Sequence, residues 1–208
     1  MSIEIPKNKW IEVYNSISLF WFAVDSNNNR PEEISQINQA YNAFCIENSI
    51  PGEGYNITAP ENMMLFGYAL IVRAKEIIDP VIKDKNVDGK SAREYLYQSI
   101  FDEAGARNVE WFSSYSSIIE NQQIDIQTCT FSDKAEYEKL YQFVRHLRHS
   151  IAHSTYELID GGNTIGFESK NRGVVNLKAT MPIHGYINFV LYFSILLNSV
   201  IHTKNLLV

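Results

Sequence analysis

The sequence predicts a mainly α chain: a helical bundle with a small β-hairpin or three-stranded insertion before the last helix. Three observations carry that expectation. Apolar residues recur at helical spacing over most of residues 1–150, punctuated by helix-capping signatures. Residues 156–181 alternate instead, around Asp160-Gly-Gly-Asn163. Pro182 then opens Ile183–Ile201, a run without Asp, Glu, Lys or Arg. No repeat or abrupt change of composition divides the 208 residues, so residues 1–208 are read as a single domain.

In order along the chain, Lys9–Val24 sets Trp10, Val13, Ile17, Phe20 and Val24 at helical spacing. Asn27–Asn29 are expected to break that helix. Pro31, followed by Glu32 and Glu33, opens a second helix running to about Glu47. Pro51, Gly52 and Gly54 mark a loop. Thr58-Ala-Pro-Glu61 reads as a capping box for an apolar helix reaching Ile78. A loop over Lys83–Gly89 leads to a second box, Ser91-Ala-Arg-Glu94, and the helix Tyr95–Ala104, with another short helix through Ile119. Asn121–Thr130 reads as a polar linker. Ser132 is expected to cap the next helix, over about 132–152. The β insertion covers about 155–181: a hairpin from Tyr156–Ile159 and Thr164–Glu168, then a third strand over Val174–Met181. The final helix is expected over about 182–203.

Composition is that of an ordinary folded protein, 45% hydrophobic and 20% charged, which excludes a disordered or collagen-like chain. Cys45 and Cys129 are too few for a disulfide scaffold and read as reduced thiols in the cytoplasm. Ile17–Val24 lacks the flanks of a signal peptide. Ile183–Ile201 approaches the length of a membrane span but holds His184, Asn188 and Asn198, so a buried helix is expected and no membrane partner.

The net charge of −6 argues against broad nucleic-acid binding, yet its distribution is uneven. Residues 139–208 carry 7 basic and 3 acidic side chains, and Lys139–Tyr156 contains no Asp or Glu. That points to a confined anion site on an acidic body.

Two motifs have simpler readings. Asp88-Gly-Lys-Ser91 resembles the end of a phosphate-binding loop but lacks the required upstream glycine, so it reads as a loop feeding a helix cap. His146, His149 and His153 could share one helical face, but no carboxylate or cysteine nearby completes a metal site, and none is expected.

The informative segment is Val144-Arg-His-Leu-Arg-His-Ser-Ile-Ala-His-Ser154. It sets Arg148 and His149 ahead of His153 near a helix C-terminus, where the macrodipole favours cationic side chains. Read from the residues alone, Arg148 could equally pair with a carboxylate while His153 simply ends the helix. At these positions the chain resembles the HEPN superfamily, whose signature is an arginine, four to six intervening residues and a histidine, with Asn, Asp or His commonly right after the arginine. Arg148, His149 and His153 match it one by one.

That resemblance implies a metal-independent endoribonuclease, a toxin or phage-defence effector, acting as a homodimer and without cofactors. An antitoxin or defence-system partner is a further implication. Thr155 stands where members paired with a nucleotidyltransferase antitoxin have tyrosine, and Tyr156 follows it. In the chemistry implied, the 2′-hydroxyl of RNA attacks the adjacent phosphate, His153 transfers the proton and Arg148 stabilises the charged phosphate. His149 orients that pair and Arg145 is a second phosphate contact. Five residues of helix turn about 500°, leaving Arg148 and His153 roughly 140° apart. Both reach one phosphate if the helix ends near Ala152 or if two subunits share the site. The alternative is a non-catalytic module of the same kind that binds RNA, a nucleotide or a protein.

Overall fold

The computed structural model describes residues 3–49, 56 and 59–208. Helix α1 (Lys7–Asn29) buries Trp10, Val13, Ile17 and Phe20, as the spacing predicts. The asparagines do not break it. It stops at Arg30, whose φ of −142° and ψ of 58° are non-helical, because the ring of the following proline disfavours the helical conformation in the residue before it. Helix α2 (Pro31–Glu47) starts on that proline and buries Ile34 alone. The loop expected at Pro51, Gly52 and Gly54, and the cap expected from Thr58, lie outside the described residues.

Helix α3 (Pro60–Gly67) passes through one π-helical stretch, Tyr68–Arg73, into α4 (Ala74–Ile82), four residues beyond the expected end at Ile78. The stretch buries Leu70, Ile71 and Val72 in succession, wedged between α1 and the motif helix. Just before it, a Cβ on Gly67 would fall 1.7 Å from the Tyr186 hydroxyl, so only glycine fits there.

The expected loop at Lys83–Gly89 contains a small hairpin, β1 (Asn86–Val87) and β2 (Lys90–Ser91), turning at Asp88 and Gly89 with φ of 52° and 79°. The Ser91 cap of the second box forms as expected. The Glu94 amide donates to Ser91 Oγ at 3.1 Å and starts α5 (Ala92–Ala106). A short turn at Glu110–Phe112 and α6 (Tyr115–Asn121) follow.

The polar linker contains a strand, β3 (Asp125–Cys129), which pairs antiparallel with a strand some fifty residues later. Its two half-buried residues, Ile126 and Cys129, signal nothing until that partner arrives. The motif helix α7 (Glu136–Ala152) begins at Ala135, without a Ser132 cap. Thr130 stays bonded to Asn176, and Phe131 buries its ring on Tyr115 and His146, so the chain must turn before it can wind.

Strands β4 (Tyr156–Ile159), β5 (Thr164–Asn171) and β6 (Val174–Pro182) form the insertion, and with β3 they make an antiparallel sheet in the order β3-β6-β5-β4. Arg172 and Gly173, with φ of 50° and 81°, close β5 onto β6 in a two-residue turn.

Helix α8 (Ile183–Thr203) is the centre of the molecule, with α1 and α5 packed on it. It is long and apolar enough to cross a membrane, but 61% of its most apolar stretch is buried inside the fold. Two of its polar residues bond to neighbouring elements. The Trp10 indole donates to Asn198 Oδ1 at 2.9 Å, and Arg107 donates to Ser199 Oγ at 2.6 Å. Phe189 stacks against Phe112 and Phe193 and meets the edge of Phe143 from α7, fixing the motif helix to this core.

Candidate functional site

Helix α7 ends at Ala152 in a Schellman motif. The Thr155 amide donates to the Ser150 carbonyl at 2.9 Å and the Ser154 amide to the Ile151 carbonyl at 3.3 Å. Ser154 takes the left-handed conformation, φ 52°, that glycine usually supplies. His153 is therefore the C-cap, turned off the helical spiral and exposed. The helix thus ends at Ala152, as the first of the two expected arrangements requires. The insertion holds that end in place. The Glu168 carbonyl on β5 accepts from Ser150 Oγ at 2.9 Å and from Thr155 Oγ1 at 2.6 Å.

His149 is where the motif residues meet. Its ring centroid lies 4.4 Å from that of His153. Burial, then the charges of His153, Arg148 and Arg145, hold its pKa below the ordinary histidine range. It is therefore neutral at pH 7. Arg148 reaches back to Glu76 on α4, with Nη2 3.6 Å from Oε1, so the carboxylate pairing left open by the sequence is present. Glu76 also lies 3.6 Å from Arg73, which in turn pairs with Glu12 at 2.9 Å.

Arg145, Arg148 and His149 line a cleft of about 430 Å³ between α7, the Thr130–Lys134 loop and the far end of the β5–β6 hairpin. His153 is not among its lining residues. His146 is, but it does not act with the other two histidines. Its Nδ1 lies 2.9 Å from Ser169 Oγ and its ring stacks on Phe131 with centroids 5.6 Å apart. Burial and the neighbouring Arg145 and His149 push its pKa down to about 4. Among the described residues, no group of three or more His, Cys, Asp and Glu is placed to hold a metal ion.

The residues that sequence reasoning passed over are Glu76, Phe131, Lys134, Ser150, Ser169 and Lys170. Ser150 sits inside the motif, but nothing around it announces the carbonyl it grips on β5. Lys170 is among the seven basic residues of 139–208, but no local pattern sets it opposite α7.

The depressed His146 pKa carries a consequence for stability. The folded form resists a proton that the unfolded chain accepts near pH 6.5, so the unfolded state binds more protons between about pH 6.5 and 4. Stability is fully present above that window and falls as pH drops through it. Urea midpoints at pH 7 and 5 are expected to separate more for wild type than for His146→Phe, which keeps the ring stack and loses the titration. Equal separations would show that His146 contributes nothing to the pH dependence.

A helical bundle with an arginine–polar–histidine motif at the end of one helix defines a HEPN domain. The chain belongs to the HEPN pEK499 p136 family, whose model matches residues 7–203. No curated protein and no solved structure matches it.

Proposed function

We propose that this chain is an endoribonuclease that cuts RNA without a metal ion, serving as a toxin or phage-defence effector. One observation carries the reading. His149 joins an arginine-lined cleft to an exposed histidine at the open end of a helix. RNA brings its own nucleophile, so the protein must supply a proton acceptor and a cation. His153 takes the proton of the 2′-hydroxyl as its oxygen bonds to phosphorus. The bond from phosphorus to the 5′-oxygen breaks, and that oxygen takes a proton from solvent. Arg148 leaves its long contact with Glu76 and places its planar fork on the phosphate oxygens. Neutral His149 lies beside His153 without adding a competing positive charge.

The test is incubation with mixed RNA, with and without EDTA. Cleavage that survives EDTA and leaves 2′,3′-cyclic phosphate and 5′-hydroxyl ends is the expected result. Activity lost in EDTA and restored by magnesium would overturn the histidine mechanism. A second reading, a module that binds RNA without cutting it, is favoured by the Arg148–Glu76 contact. Retention of RNA with no cleavage would select it.

In the same reading two copies of the chain associate. The apolar faces of α8 are covered within the chain, and this reading puts the contact on α1 and α2. Ile11, Tyr14, Trp21 and Phe22 of α1, with Ile37 and Phe44 of α2, are exposed. Together they offer on the order of 600 Å² of side-chain surface, against the roughly 800 Å² that each partner of a stable dimer buries. An antiparallel contact of two α1 helices sets Lys7 near one end against Asp25 near the other. Light scattering is expected to give the mass of a dimer, and Trp21→Glu the mass of a monomer. A monomeric wild type at micromolar concentration would sink this part of the reading.

A further inference from the structure

We infer that the cleft beside the motif binds one unpaired nucleotide flanking the cut, with its base read by neutral side chains from α7 and the β insertion. This rests on the RNA reading above and names the form of RNA that the site accepts. Arg148 lines the cleft and His153 stands outside it, so the cleft extends from the reacting phosphate as a neighbouring subsite. Its charged and neutral groups are of two kinds. Lys134, Arg145 and Lys170 supply cations, while His146, Asn171 and Asn176 supply uncharged donors and acceptors.

A site for phosphate alone has no use for the second set. Phosphate contacts position a strand, and neutral amides and imidazoles match the donor and acceptor pattern of base edges. His146 suits that task because burial keeps it neutral, and its Ser169 and Phe131 contacts fix the ring. Asn176 is braced by donating to the Val174 carbonyl at 3.2 Å. Asn171 is exposed, and among the described residues its side chain has no hydrogen bond. The cations are easily released, since Lys134 meets Asp133 only at 3.8 Å and the Lys170–Glu168 pair is open to solvent.

Size selects the ligand further. At about 430 Å³ the cleft lies near the small end of ligand pockets, ~300–1,000 Å³, room for a nucleotide but not a helix. Bases can present their edges to such a pocket only when unpaired, because the major groove of duplex RNA is too deep and narrow for side chains to read.

The experiment measures fluorescence anisotropy with short 2′-O-methyl oligonucleotides, which lack the free hydroxyl and cannot be cut. The four homopolymers are compared single-stranded, together with one annealed duplex. One homopolymer is expected to bind at least about 10-fold tighter than the others and than the duplex. Asn171→Ala and Asn176→Ala should narrow that preference. Lys134→Ala and Lys170→Ala should weaken every sequence alike and each lower the salt slope by ~1. Four homopolymers bound within two-fold of one another, a duplex bound as tightly, or no binding at all would overturn the inference. Failure of the nuclease reading looks different: selective binding of these probes with no cleavage of ordinary RNA leaves the pocket standing. Cleavage without selectivity does the reverse.

Discussion

Alanine at His153 or at Arg148 is expected to abolish RNA cleavage while the chain stays folded. Removing a proton-transferring side chain typically costs ~10²–10⁴-fold in rate. Arg148→Lys is not expected to rescue, because an ammonium cannot reproduce the forked contact with two phosphate oxygens. Neither loss should unfold the protein. His153 is exposed, and the helix end it occupies is closed by backbone bonds and by Ser150 and Thr155 rather than by its ring. The Arg148–Glu76 pair is long and about a third exposed, a kind of pair worth ~0–1 kcal/mol. His149→Ala should be milder than either, since His149 orients the pair. Cleavage rates beside thermal melts decide the matter. Variants that melt like wild type and cut at the wild-type rate would remove the nuclease assignment from this motif.

The largest effect on stability is expected at Phe189. It is fully buried on α8, with Phe112 and Phe193 stacked at 6.0 and 5.8 Å and the edge of Phe143 at 5.3 Å. Truncation to alanine removes the ring from three aromatic contacts and leaves a cavity that these neighbours can fill only in part. The cost should be ~3–5 kcal/mol, a large share of the ~5–15 kcal/mol that holds a typical domain folded. Phe189→Leu keeps most of the volume and should cost markedly less. Because Phe143 belongs to α7, the alanine variant should also loosen the motif helix. Urea midpoints measure the effect, and a loss for Phe189→Ala below about 1 kcal/mol would show that the cluster repacks.

Much of this architecture was legible in the chain. The faces of α1, α5 and α8, the Ser91 cap, the Asp160–Asn163 turn and the Arg148–His149–His153 spacing are signals carried within a few residues. Each reflects a local rule, a 3.6-residue period, an orphaned amide at a helix start or a positive φ in a turn. The failures are equally specific. Strand β3 is polar and acquires its identity only by bonding to β6. Ser132 has the chemistry of a cap, but burial of the neighbouring Phe131 turns the chain first.

The sequence by itself determined the helical class, the position of the insertion and the residues of the motif. The tertiary structure decided where those residues point and what stands opposite them. It clamped the end of α7 to the Glu168 carbonyl, paired Arg148 with Glu76 and turned His146 away to Ser169. The reason is physical. A helix or turn is specified by bonds between near neighbours, whereas a cleft is the space left when elements far apart in the chain pack, and its walls share no local pattern.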